Sequence, residues 1–158
     1  MTKTLWFCYV LRNTEEKYKS LTYIGASNDP FERLRRHNGE LSGGARSTNG
    51  KGKWEIWLLL SGFESYSEAM MCEWRLKHPI GRTCRGTKYS GVQGKIESLK
   101  YIAALDTWGK KDNLLKRNNI KIFILHDSSD NLNDEILGHL EINKVSKIDK
   151  LLFDEKNQ

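Results

Sequence analysis

Two short runs of aromatic and β-branched residues near the N-terminus constrain the fold most. The runs are Leu5–Leu11 (LWFCYVL) and Leu21–Ala26 (LTYIGA), and the polar, charged stretch Asn13–Ser20 separates them. Such residues favour strands, and a polar connection between two of these runs indicates a hairpin. A third run of the same kind, Trp54–Leu60 (WEIWLLL), follows a glycine-rich segment. The sequence therefore predicts a small central antiparallel β-sheet of about three core strands.

Helix signals follow the second and third predicted strands. A first helix should run from Asp29 to Gly39, because Asp29 can cap the first turn, the glutamate three residues later completes a capping box, and Pro30 suits the first helical position. A second helix should begin at Ser65, which forms another capping-box pattern, and end before Pro79. Helices that flank a small antiparallel sheet give an α+β fold class.

The second half of the chain carries weaker signals. Ile96–Leu105 is a third helical stretch, and Ile120–Leu125 is a further strand that we expect at the edge of the sheet. A last helix is predicted over Glu135–Phe153. The predicted organisation is one domain at 1–126, with its core at 5–79 and an extension at 80–126, followed by a C-terminal tail at 127–158.

The composition excludes several classes of protein. With 38% hydrophobic and 29% charged residues, the 158-residue chain is neither disordered nor membranous, and we expect no membrane partner. The three cysteines lack CxxC spacing, which argues against a disulfide framework and a zinc site, and for a reducing compartment inside the cell. The net charge is +6, and the excess of Lys and Arg lies in residues 1–110. A basic body is typical of a nucleic-acid binder.

One carboxylate breaks the amphipathic pattern of the second helix. Glu73 lies about 40° around the helix from Ala69, at the edge of the apolar stripe. An ionised carboxylate there requires a positive partner. Two interpretations fit: a structural ion pair with Arg33 or another arginine, or a ligand of Mg²⁺, which often takes one carboxylate together with waters and phosphate oxygens.

Four further side chains have both a structural and a chemical interpretation. Arg33 and His37 lie one turn apart on the first helix, where such residues most often form a solvated basic face. A guanidinium also matches a phosphate, and an imidazole can move a proton near neutral pH. Tyr9 and Tyr23 on the hairpin are most often packing residues, but a phenol can also orient or deprotonate a water.

Taken together, these residues resemble the motifs of the GIY-YIG nuclease family. The second triplet is intact as YIG at residues 23–25, and the first is degenerate as FCY at residues 7–9, which keeps only the tyrosine. Arg33 and His37 fall in the family's R-x-x-x-H/Y element, and Glu73 falls where the family keeps its metal-binding glutamate.

Within the family, three stretches are similar to the Slx-type structure-specific endonucleases of eukaryotes: YIGASNDPFERLRRHNGELSGGARST, KWEIWLLLSGF and EWRLKHP. The resemblance is strong from Leu5 to Pro79 and looser to Leu125, so residues 1–126 are interpreted as a GIY-YIG nuclease domain. Proteins of this type continue into a cysteine-rich RING-type zinc domain that docks a scaffold protein. This chain has no cysteine after Cys84, so we expect no zinc.

The resemblance implies hydrolysis of phosphodiester bonds in branched DNA, such as flaps, forks and Holliday junctions, with 5′-phosphate products. One divalent ion, Mg²⁺ or Mn²⁺, would bind Glu73 and stabilise the leaving oxygen. Arg33 would neutralise charge growing on the phosphate, while Tyr9 and Tyr23 would position or deprotonate the attacking water. His37 would pass the proton on or bind the phosphate. Which of Tyr9 and His37 is the general base stays open.

By the same resemblance, DNA binding is assigned to cations on the first helix and in two long connections. The glycine-rich connection Gly39–Lys53 lets backbone amides and side chains approach phosphates closely. The candidates are Arg35, Arg36, Arg46, Lys51 and Lys53, with Arg82, Arg85 and Lys88 as outer candidates. Such contacts carry no base code, so a preference for branched DNA would come from DNA shape.

Three other functions stay open. A sequence-specific GIY-YIG nuclease of the restriction or homing type would need an added recognition domain, for which Asp127–Gln158 is a poor candidate. The others are a non-catalytic nucleic-acid-binding module of the same fold and an adaptor that depends on a scaffold protein. The partners expected are branched DNA and either a scaffold protein or a second copy of the chain. For a repair and recombination enzyme we expect the nucleus or a viral replication site.

Overall fold

The computed structural model describes residues 4–82, 86, 88–109, 120–128, 136–138 and 140–153. Its strands are β1 (Trp6–Asn13), β2 (Thr22–Ser27), β3 (Trp54–Phe63), β4 (Lys121–Leu125), β5 (Ile136–Leu137) and β6 (Leu140–Val145). Its α-helices are α1 (Pro30–His37), α2 (Tyr66–Lys77) and α3 (Gly91–Ala103), and single 3₁₀ turns cover Glu16–Tyr18, His126–Ser128 and Lys150–Phe153. Within these ranges, no helix combines the length and the apolar character that a membrane crossing requires.

The strands form one sheet in the order β2-β1-β3-β4-β6-β5, flanked by helices, so the α+β fold class is confirmed. The hairpin of β1 and β2 and the pairing of β1 with β3 are antiparallel, as predicted. The sheet is larger than the predicted three-stranded one, and it is mixed, because β4 pairs with β6 in parallel. The expectation that the fourth strand lies at the edge is wrong, since β4 lies between β3 and β6.

The helix predicted over Glu135–Phe153 is also wrong. Leu140 and Ile142 are buried while Glu141 between them is exposed, which is the two-residue period of a strand. The segment forms β5 and β6 and continues the same sheet as the strands before residue 126, so a tail that begins at 127 does not describe the architecture. Residues 129–135, 139 and 154–158 of that predicted tail lie outside the described residues.

Two apolar layers cover the two faces of the sheet. On one face, α2 and α3 pack through residues such as Cys72, Leu76 and Leu99. On the other face, Phe31 and Leu34 of α1 pack against strand residues. The strand residues of this second layer are Phe7, Tyr9, Leu11, Trp54, Ile56 and Leu59. Because central strands are buried on both faces, they read as nearly continuous apolar runs.

The two predicted helix starts are confirmed, but one capping box is only half formed. The Asp29 carboxylate accepts from the backbone N–H of Glu32 (3.0 Å), and Ser65 Oγ accepts from the N–H of Glu68 (3.2 Å). The carboxylate of Glu32 does not return to the cap, because it pairs with Arg36 (2.6 Å) one turn further along. The third helix begins at Gly91, five residues earlier than its apolar pattern predicted.

Candidate active site

The β1–β2 hairpin and the end of α1 bring three rings together. Tyr9 is 1% exposed, and its Oη lies 3.0 Å from Nε2 of His37, which is 2% exposed. The ring centres of Tyr23 and His37 lie 4.5 Å apart, and those of Tyr9 and Tyr23 lie 6.4 Å apart. The solvated-face interpretation of the first helix is therefore wrong for His37, whose imidazole is buried against both phenols.

The guanidinium of Arg33 lies beside this ring cluster. Burial alone would lower the pKa of Arg33, but hydrogen bonds with Tyr9 and Tyr23 outweigh it and raise that pKa. Its Nη1 also donates to the carbonyl oxygen of Gly43 (2.9 Å), which links α1 to the glycine-rich connection. Arg33 is thus a half-buried cation that interacts with both phenols and with the Gly43 carbonyl.

The buried environment fixes the charge states of the two central groups. Burial, together with the smaller effect of the nearby Arg33 charge, lowers the pKa of His37 to about 4. Burial raises the pKa of Tyr9 to about 12, and the hydrogen bond from Arg33 opposes that rise. At neutral pH the pair is therefore a neutral imidazole and a neutral phenol.

Glu73 on α2 has an ion-pair partner that the sequence interpretation did not name. Its Oε1 accepts from Nζ of Lys77 (2.7 Å), one turn along the helix, and its side chain is 22% exposed. The suggested pairing of Glu73 with Arg33 or another arginine is wrong, because lysine at i+4 is the partner. The carboxylate still acts electrostatically on the ring cluster, since its charge raises the pKa of Tyr9.

The DNA-binding candidates on α1 and the following connection fall into two groups. Three are held by protein groups: Arg35 by Glu40 (3.0 Å), Arg36 by Glu32 and the carbonyl of Ser42, and Lys51 by the carbonyl of Ser47 (2.9 Å). The other two, Arg46 and Lys53, are exposed and have no side-chain partner in the described part of the chain. These two cations are the ones most available to a phosphate.

The outer candidates lie in the connection between α2 and α3. Arg82 is exposed, and Lys88 is exposed with its Nζ 5.4 Å from the ring centre of Tyr89. Arg85 lies outside the described residues. The DNA-binding role of all three stays a prediction.

One residue of the site was missed by sequence reasoning. Thr48 in the glycine-rich connection is 1% exposed, and its Oγ1 lies 2.9 Å from Nδ1 of His37. The sequence offered only a single threonine near glycines, six residues before β3, and such a signal is weak. The fold places it because Asn38 and Trp54 exchange two hydrogen bonds (2.7 and 3.1 Å) and so close the connection onto the end of α1.

Comparison with known proteins identifies relatives of this chain. The slx1 structure-specific endonuclease subunit of Schizosaccharomyces pombe is 33% identical over 108 residues, covering 64% of this chain and 40% of its own. The SLX1 homolog of Cryptosporidium parvum is 29% identical over 166 residues, covering 90% of this chain and 38% of its own. The slx1 subunit of Aspergillus niger is 45% identical over 74 residues. The chain spans about two fifths or less of the length of these curated relatives.

The same comparison assigns a family. Residues 5–88 match the GIY-YIG catalytic domain, which is more than half of the chain. This range contains Tyr9, Tyr23, Arg33, His37 and Glu73, the five residues on which the resemblance was based. The chain belongs to the GIY-YIG family.

Proposed function

We propose that this chain is a structure-specific endonuclease that hydrolyses phosphodiester bonds in branched DNA. The observation that carries the proposal is the buried hydrogen bond between Tyr9 and His37 with the Arg33 cation beside it. A neutral proton acceptor, a phenol and a guanidinium within one cluster are the groups that phosphodiester hydrolysis needs. The names of the relatives, structure-specific endonuclease subunits, support the substrate class.

Arg33 receives the scissile phosphate in this mechanism. A guanidinium donates two parallel hydrogen bonds to phosphate oxygens, and it stabilises the charge that grows on them in the transition state. Arg33 is half-buried, so its charge is less screened than that of an exposed arginine. Removing one preorganised donor of this kind costs about 10²–10³ in rate.

Tyr9 and His37 move the proton of the attacking water. Tyr9 receives that proton at Oη and gives its own proton to Nε2 of His37, 3.0 Å away. The anionic phosphate helps this transfer, because it offsets the Arg33 charge that depresses the pKa of His37 in the free protein. The ring of Tyr23 lies against the imidazole and holds it in place. In this proposal His37 is the final proton acceptor and Tyr9 relays the proton to it.

Glu73 fits a divalent cation. A single, partly exposed carboxylate oxygen is the ligand type that Mg²⁺ or Mn²⁺ takes when waters and substrate phosphate oxygens complete the coordination. In the described residues no cluster of three or more His, Cys, Asp or Glu side chains offers a richer site. A bound ion would stabilise the leaving oxygen as a Lewis acid, with 5′-phosphate products.

The substrate and partner assignments extend this proposal. Exposed cations beside the site, Arg46 and Lys53, would bind the DNA backbone without reading bases. The word subunit in the names of the relatives supports a partner protein for this chain as well. A scaffold protein or a second copy, and a location in the nucleus or at a viral replication site, stay predictions.

Cleavage assays with matched variants test the proposal. The purified chain is incubated with labelled flap, fork, four-way-junction and linear duplex DNA, with Mg²⁺, with Mn²⁺ and with a chelator. Cleavage near the branch is expected, with none in chelator and little on the linear duplex. Glu73→Gln should abolish cleavage, whereas Glu97→Gln, which removes a glutamate paired with Lys100 on α3, should not.

Three outcomes would contradict the proposal. A tenfold loss of activity corresponds to an increase of roughly 1.4 kcal/mol in the activation barrier. Activity of Glu73→Gln above about a tenth of wild type would overturn the metal assignment. Equal cleavage of linear and branched DNA would overturn structure specificity. Binding of branched DNA without cleavage in either metal would support a non-catalytic binding module instead.

A further inference from the structure

The hydroxyl of Thr48 lies between two groups that restrict its hydrogen bonding. Its Oγ1 is 2.9 Å from Nδ1 of His37 and 2.9 Å from the carbonyl oxygen of Ala45. A carbonyl oxygen only accepts, and a hydroxyl has one proton to donate. The Thr48 proton therefore points at Ala45, and the hydroxyl oxygen accepts a hydrogen bond from Nδ1–H of His37.

The direction of the hydrogen bond from His37 to Thr48 determines the direction of the hydrogen bond between His37 and Tyr9. A neutral imidazole carries one N–H, so a proton on Nδ1 leaves a lone pair on Nε2. Nε2 then accepts from the Oη–H of Tyr9 at 3.0 Å. All the protons point one way, from Tyr9 to His37, from His37 to Thr48, and from Thr48 to Ala45.

We propose that Thr48 is a positioning residue that fixes His37 in the Nδ1–H tautomer, so that Nε2 is free to take the proton of Tyr9. The tautomer follows from the geometry alone, while the use of Nε2 as a proton acceptor rests on the proposed function. In the transfer the O–H bond of Tyr9 breaks and an Nε2–H bond forms. The Nδ1–H bond to Thr48 persists throughout, so the imidazolium stays oriented.

The surrounding backbone holds the hydroxyl where this role needs it. The indole Nε1 of Trp54 donates to the carbonyl oxygen of Thr48 (3.2 Å), which pins the residue from the strand side. The connection also passes very close to α1 at Gly44, where a Cβ would lie 2.5 Å from the carbonyl oxygen of Arg36. The position of Thr48 is therefore set by the fold and does not depend on bound DNA.

Without the Thr48 hydroxyl, the tautomer of His37 is no longer fixed. Thr48→Val has nearly the same shape but leaves Nδ1 of His37 and the Ala45 carbonyl without this partner. The imidazole can then move its proton to Nε2 and donate to Tyr9 Oη, so that Nε2 no longer accepts. A histidine held in the wrong tautomer in a comparable relay costs about 10⁴ in rate, and we expect at least a tenfold loss here.

The test combines a tautomer measurement with kinetics. Two-bond ¹H–¹⁵N NMR spectra of ¹⁵N-labelled protein at pH 7 report which ring nitrogen of His37 carries the proton. Wild type and Thr48→Ser should show Nδ1–H, and Thr48→Val should shift toward Nε2–H. On branched DNA, Thr48→Val should lose at least tenfold in kcat with little change in KM, and Thr48→Ser should stay within about threefold. Thr107→Val, which removes a hydroxyl bonded to Gly109, is the control.

The outcomes separate this inference from the proposed nuclease function. An Nε2–H tautomer in wild type would overturn the role of Thr48, and so would wild-type tautomer and kcat in Thr48→Val. If Thr48→Val does not fold, the wild-type and Thr48→Ser spectra still decide the tautomer. A wild-type chain that shows Nδ1–H but cleaves no DNA would overturn the nuclease proposal and leave the tautomer assignment standing.

Discussion

Gly25 lies directly opposite Tyr9 across the β1–β2 hairpin, and a Cβ at position 25 would lie 2.3 Å from Oη of Tyr9. The phenol therefore crosses the neighbouring strand at the one residue without a side chain. The intact YIG triplet thus makes room for the tyrosine of the degenerate triplet. Of the two altered positions of the first triplet, Cys8 packs in the layer below α2 and α3, and Phe7 packs in the layer that contains Tyr9.

Gly25→Ala should displace the Tyr9 phenol and break its hydrogen bond to His37. An added methyl group in a tightly packed site costs about 1–3 kcal/mol, and we expect at least a tenfold loss of cleavage as well. Gly52→Ala is a matched control, because its Cβ would lie 3.5 Å from the nearest atom, an ordinary contact. Urea unfolding and cleavage of flap DNA measure both effects. Full activity in Gly25→Ala would contradict the close approach.

The buried His37 should make stability depend on pH in one direction. Its pKa is about 4 in the folded chain and about 6.5 when unfolded, so the unfolded chain binds the proton first as pH falls. The contribution of neutral His37 to the free energy of unfolding is fully present above about pH 6.5. It should fall by up to about 3 kcal/mol as pH falls to 4.

Urea unfolding at pH 7, 5.5 and 4.5 measures this decline against His37→Gln, which cannot take up the proton. The stability advantage of wild type over His37→Gln should shrink as pH falls. His78→Gln replaces a histidine outside the ring cluster and should lose stability with pH as steeply as wild type does. A constant difference between wild type and His37→Gln would contradict the burial of a neutral imidazole.

Local signals predicted most of the fold, and non-local pairing explains what they missed. Asp29 and Ser65 indicate where helices begin, because a helix cap depends on only a few neighbouring residues. The strand β6 was missed because it is stabilised by parallel pairing with β4, about twenty residues earlier, which no local pattern reports. Its two-residue alternation over Leu140–Ile142 is too short to outweigh the polar residues around it.

The site shows the same division between local and distant causes. Tyr9, Arg33 and Glu73 were predicted from their order and spacing, and the fold brings Tyr9 and Arg33 together. The ion pair of Glu73 with Lys77 could have been predicted from their i,i+4 spacing, but the sequence interpretation favoured an arginine as the partner. The role of Thr48 could not have been predicted, because its contact with His37 depends on the path of the connection after α1.

Lys77 should compete with a metal ion for the carboxylate of Glu73. An exposed i,i+4 ion pair is worth about 0.3–0.5 kcal/mol, which corresponds to roughly a twofold change in an equilibrium constant. Lys77→Met should therefore lower the Mg²⁺ concentration at half-maximal cleavage by about twofold, with kcat similar to wild type. Lys100→Met removes the corresponding lysine of the Glu97 pair on α3 and should leave the Mg²⁺ dependence unchanged. A higher Mg²⁺ requirement in Lys77→Met would contradict competition at Glu73.

Arg46 and Lys53 should grip the DNA backbone without reading sequence. They are exposed, and within the described ranges no protein group occupies their side chains, unlike Lys51, which holds the carbonyl of Ser47. Each phosphate contact contributes about 0.9 to the slope of log K against log salt concentration. The double variant Arg46→Ala with Lys53→Ala should therefore weaken binding of all DNAs alike and lower the steepness of that plot by up to about 1.8.

Salt titrations of flap, fork and duplex DNA in two base compositions measure this effect, with Lys100→Ala, which removes one positive charge on α3, as a control. The double variant should shift every DNA by the same factor, because phosphates are common to all sequences. Adding Lys51→Ala should also loosen the connection that carries Thr48, because its Nζ donates to the carbonyl oxygen of Ser47. An unchanged slope would remove both cations from the interface, and an altered base preference would mean that they reach base edges.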